Sequence, residues 1–190
     1  MVIGVANFTF LRDKDEYMSF SESCIKAEEV WKDSPSSCIS GCRTALESIV
    51  KWIYQKERNL NYIKPDVKDN IQASELYYRI NNEGFKRLVP SNILKNLNYV
   101  RKLANKVLHE NFQVTPDDGM RCLQYIFEFV QWVDRRYGHQ YETRKFVKDE
   151  VPHNTSFWMQ GLKYAGAAIG GAAALALAIV MADNDNNKKG

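Results

Sequence analysis

The sequence predicts an all-α protein, a helical bundle over residues 1–138 with a single hydrophobic helix at its C-terminal end. Three observations carry that expectation. Apolar residues recur at spacings of three and four through four long segments. Capping residues stand where those segments begin. No stretch alternates with period two for long enough to be a strand, apart from a stub at Val2 to Phe10.

The first helix is expected over Asp15 to Trp31, where Phe20, Cys24, Ala27 and Trp31 repeat at helical spacing. Ser34 and Pro35 then form a start signal, a capping hydroxyl followed by proline at the first helical position, where its missing N–H costs nothing. The second helix carries an apolar arc from Cys38 through Ala45 and Ile49 to Ile53 and should end near Lys56 to Asn59. Leu60 to Ala73 is polar and contains Pro65, which predicts a loop. A short helix over Ser74 to Asn81 and a turn at Asn82 to Gly84 follow. Pro90 and Ser91 open a strongly amphipathic helix, with Ile93, Leu97, Val100, Ala104 and Val107 among its apolar residues. Thr115-Pro116-Asp117-Asp118 caps the last helix of the bundle and puts acids in its first turn, where the helix dipole favours them. Gly138 ends it.

The bulk properties exclude more than they identify. A net charge of +3 with balanced acids and bases does not mark a nucleic-acid binder. Cys24, Cys38, Cys42 and Cys122 all occupy apolar helical positions and read as reduced core residues. Cys38 and Cys42 share a helical face, but no neighbouring pair of ligands completes a metal site, so no metal or other cofactor is expected. Nucleophile elbows, phosphate-binding glycine loops and zinc-ligand spacings are absent from the sequence, and no secretory signal is read at its N-terminus.

Residues 139–156 turn polar around Pro152 and read as a linker. Residues 157–182 form an uncharged-to-weakly-charged run rich in Ala and Gly, long enough for a transmembrane helix but only weakly hydrophobic, closed by the polar tail 183–190. Gly166, Gly170, Ala174, Ala178 and Ala182 recur every fourth residue, a small-residue stripe through which helices associate in lipid. Trp158 and Tyr164 suit the membrane interface. The expected partners are therefore a membrane and further copies of this chain. Arg144, Lys145, Lys148 and Lys163 before the run outnumber Lys188 and Lys189 after it, which favours a single-pass protein with its N-terminal domain in the cytoplasm. The alternative is a cytoplasmic bundle whose tail docks on another protein.

Projection at 100° per residue sets Arg101 inside the apolar arc of its helix, Asn105 at the margin and His109 just beyond. A charge in a helix interface needs partners. Arg43 and Glu47 occupy the equivalent margin of the second helix, and these five residues are expected to form one polar cluster. It reads either as a hydrogen-bonded structural network or as a nucleotide- or RNA-binding edge, with His109 as an acid/base group.

These residues also carry a family resemblance. The order Asn7 to Leu11, Ala27-Glu28, Ser34-Pro35, Arg43 to Glu47 and Arg101 to His109 resembles the small helical domain at the N-terminus of type I restriction endonuclease motor subunits. That domain, of unassigned function, also stands alone or beside other bacterial defence modules and is similar to the broader HEPN superfamily. The resemblance spans Asn7 to Gly138 and implies a defence-system setting, with a defence protein as a partner. It also implies an alternative activity, a metal-independent ribonuclease that dimerises and uses Arg101 and His109. Active HEPN ribonucleases have four to six residues between Arg and His; here there are seven, and Lys102 follows the Arg. The leading expectation is a non-enzymatic, membrane-tethered binding module, with no catalytic residue assigned.

Overall fold

Six α-helices account for most of the chain described by the computed structural model, which covers residues 6–60, 75–110 and 112–148. They are α1 (Met18–Glu29), α2 (Pro35–Lys56), α3 (Glu75–Asn81), α4 (Glu83–Leu88), α5 (Ser91–His109) and α6 (Pro116–Tyr137). Short 3-10 turns at Thr9–Asp13 and Asp15–Tyr17 lead into α1. No strand occurs among the described residues, and the Val2 to Phe10 stub, as far as it is described, is a turn followed by 3-10 helix rather than β-structure.

The caps work as their chemistry dictates. The Ser34 side chain accepts from the Ser37 N–H at 3.3 Å, with Pro35 opening α2. Thr115 and Asp118 exchange bonds, the Asp118 N–H donating to Thr115 Oγ1 at 3.3 Å and the Thr115 N–H to Asp118 Oδ2 at 3.0 Å. This reciprocal arrangement satisfies two N–H groups that the helix itself leaves open. The turn expected at Asn82 to Gly84 is instead the start of a further helix. Asn82 Oδ1 accepts from the N–H groups of Gly84 and Phe85, which begins α4 and lets Phe85 reach the core.

Helix α2 is central and packs against α1, α5 and α6. Its contact with α1 is tight: a Cβ placed on Gly41 would lie 3.0 Å from Ala27 Cβ, so two small residues set that helix separation. Trp52 anchors an aromatic cluster, with Tyr17, Phe20 and Tyr137 edge-on at 5.6, 5.8 and 5.4 Å. Such edge contacts stabilise beyond the area they bury. All four cysteines are free thiols in this core. Burial pushes the Cys122 thiol up to about 12 and raises Cys24 and Cys42 as well, which keeps them protonated and unreactive.

Residues 139–148, expected as the start of a polar linker, are docked on the bundle. Phe146 packs against Phe127 at 5.5 Å, and Val147 exchanges two hydrogen bonds with the Asn7 side chain, at 2.8 and 3.0 Å. Among the described residues no helix is long and apolar enough to cross a membrane. The run 157–182, with Gly166, Gly170, Ala174, Ala178 and Ala182, lies outside the described residues, as do the loop residues 61–73 and the tail 183–190.

Candidate anion-binding site

The predicted polar cluster is only partly assembled. Arg101, on the α5 face that packs into the bundle, is 8% exposed, as its place in the apolar arc requires. Its guanidinium lies over the ring of Tyr77 from α3, 4.9 Å from the centroid. Arg43, half-buried on α2, is near enough for its charge to act on Arg101. Burial pulls the Arg101 guanidinium below its usual value; Tyr77 opposes that and the like charge of Arg43 reinforces it.

The acid expected for Arg101 is elsewhere. Glu47 pairs with Lys51, one turn along its own helix, at 2.8 Å. An i,i+4 lysine reaches that carboxylate without crossing between helices, so the pair forms at the exposed margin of α2, and Arg101 has no counter-ion among the described residues. Arg101 Nε is buried and makes no hydrogen bond among the described residues. Asn105 is half-buried on the same helix. His109 is exposed at the last position of α5. It lies eight positions along from Arg101, about 12 Å along the axis and about 80° around it. The site therefore reduces to Arg43, Arg101 and Tyr77, with Asn105 on its edge.

Tyr77 was not singled out in the sequence. Its only signal there is an aromatic residue on a short helix, and the contact depends on how α3 lies across α5. Two guanidinium groups with no carboxylate beside them among the described residues suit a phosphate or carboxylate, and the Tyr77 ring, 38% exposed, presents a flat surface beside them. Among the described residues, no three His, Cys, Asp or Glu side chains are grouped so as to hold a metal ion.

A family model described as Domain of unknown function (DUF4145) matches residues 26–149. The chain belongs to this family. The DUF4145 match takes in α2 to α6 and the docked segment, and with them Arg43, Glu47, Tyr77, Arg101, Asn105 and His109; Asn7 and the first two thirds of α1 precede it. No curated protein and no solved structure matches the chain.

Proposed function

We propose that the chain is a non-enzymatic binding module that works with restriction or other anti-phage systems in bacteria, tethered to a membrane and self-associated through residues 157–182. The helical body takes an anionic, nucleotide-like ligand at Arg43 and Arg101. The observation that carries this reading is a buried guanidinium with no acid beside it among the described residues and a second arginine nearby. Burying an uncompensated charge costs several kcal/mol. A bound phosphate would relieve that cost, and its affinity would draw on the same energy.

Binding is preferred to cleavage because His109 stands apart from Arg101, exposed and on another side of α5. The HEPN-like relationship and the defence setting rest on the order of motifs from Asn7 to His109. The tether and the self-association rest on the composition of 157–182 and its small-residue stripe. Membrane fractionation of the full-length chain followed by alkaline extraction tests the tether. The protein is expected to stay with the membranes, and a form ending at Ser156 to be released. Complete extraction of the intact chain would reject the tether and leave the tail as a docking segment in the cytoplasm.

A further inference from the structure

We infer that the exposed surface shared by α5 and α6 is a contact face for single-stranded nucleic acid, independent of the site at Arg43 and Arg101. At 100° per residue, Lys95, Tyr99, Lys102, Lys106 and His109 fall within an arc of about 80° on α5. The three lysines and His109 are exposed, and Tyr99 is half-buried between them. None of these lysines takes part in an ion pair among the described residues. Helix α6 extends the face. Arg121, also exposed, donates to the Tyr99 hydroxyl at 3.3 Å, and Tyr125 stands edge-on to the Tyr99 ring at 5.5 Å. At the end of α5 the Lys106 ammonium lies 5.2 Å from the centroid of the exposed Phe112.

The acids nearby are occupied or peripheral. Asp118 is held by Thr115 in the α6 cap, and Glu128 accepts from Asn96 at 3.0 Å and from Gln124 at 3.1 Å. Asp117 and Glu110 lie at the ends of α6 and α5. The unneutralised charge runs along about 16 Å of helix from Lys95 to Lys106, a length that lies beside several phosphates of an extended strand. Rings interleaved with the cations decide the class of partner. A single strand offers unstacked bases to Tyr99, Tyr125 and Phe112, whereas a lipid surface calls for an apolar flank that can enter the bilayer, which this arc lacks.

Fluorescence anisotropy with a labelled oligouridine of about 20 nucleotides tests the inference on the full-length chain in non-ionic detergent. Replacing Lys95, Lys102 and Lys106 together by Gln is expected to weaken binding at least about tenfold and to flatten the slope of log affinity against log salt by about 2, since each phosphate contact on a single strand contributes about 0.7. Tyr99→Ala is expected to weaken binding with the slope kept, and Lys26→Gln, on α1 and paired with Glu22, to leave affinity unchanged. Circular dichroism establishes that each variant is folded, and Arg121→Gln serves as a second probe of the face. Undiminished affinity in the folded triple variant, loss of binding with Lys26→Gln alone, or capture by phosphatidylserine vesicles without RNA binding would each overturn the assignment.

Discussion

Asp134 has no exposed surface, and three neighbours hold it in place. The Lys14 ammonium donates to Oδ1 at 2.5 Å, the Tyr17 hydroxyl donates to the same oxygen at 2.9 Å, and Arg144 stands 3.9 Å from Oδ2. Gly138 makes room for this arrangement. A Cβ there would strike Asp134 Oδ1 and lie 2.6 Å from the Asp134 carbonyl and 2.8 Å from the Tyr17 hydroxyl. The glycine is readable from the sequence as a helix stop, yet its φ of −70° is open to any residue. Space is what demands it. Gly138→Ala is expected to cost at least about 2 kcal/mol in urea unfolding, because it overpacks the turn and pulls a lysine and a tyrosine from a buried carboxylate. Arg101 was legible in the same way, since projection alone sets it in the apolar arc. Its pairing with Tyr77 was not, because no spacing rule links a residue on α3 to one on α5.

At the scale of elements, Glu28 of α1 organises both flanking segments. One carboxylate oxygen accepts from the backbone N–H and the side-chain amide of Asn7 at 2.9 and 2.8 Å, and the other from the Phe8 N–H at 3.3 Å. Burial raises the Glu28 pKa, and these three bonds oppose it. Asn7 passes the connection on to Val147, so the N-terminal turn clamps residues 139–148. Asn7→Ala is expected to cost about 2 kcal/mol, the price of under-satisfying a buried carboxylate, and to speed amide hydrogen exchange in the clamped segment above that of α6. Equal protection of 139–148 in the variant would contradict the clamp. The docking of this segment was hidden in the sequence because it uses backbone groups, the Val147 amide and carbonyl and the Arg144 N–H bonded to Gln131, beneath a composition that reads as polar linker. The long helices were legible because both their apolar periods and their caps lie within the segment itself.

A second inter-element clasp gives a pH signature. Glu57, at the end of α2, accepts from the Tyr137 hydroxyl at 2.7 Å and from Arg136 at 3.0 Å. The Tyr137 bond is the largest cause holding the Glu57 carboxyl below its ordinary 4.5, ahead of Arg136. With its folded value depressed, Glu57 contributes stability that is present above pH 4.5 and is lost as pH falls through the lower folded value. Tyr137→Phe is therefore expected to cost about 1.5 kcal/mol near neutral pH, with the difference from wild type shrinking on acidification below 4.5. Denaturant midpoints across that range check it; a difference independent of pH would exclude the carboxylate as the source.

For the whole molecule, α2 is the frame on which the parts are hung: α1 on the small-residue contact at Gly41, α6 through the thiol and aromatic core, and α5 with Arg101 beside Arg43. The bundle was legible as all-α from its periodicity, and the family match extends through the docked segment to residue 149. What the sequence could not supply was the pairing of charges between helices. Glu47 had Arg43, Lys51 and Arg101 in prospect and took Lys51, one turn along its own helix. That choice leaves Arg43 and Arg101 without an acid among the described residues, and the proposed anion recognition rests on it. The most direct measurement is the nitrogen-15 spectrum of arginine side chains in the full-length protein titrated with adenosine monophosphate. One Nε–H signal, absent from Arg101→Lys, should shift saturably as ligand is added, and Arg43→Gln should weaken that response at least about tenfold, the equivalent of 1.4 kcal/mol. An Arg101 signal that stays fixed throughout the titration would contradict the account.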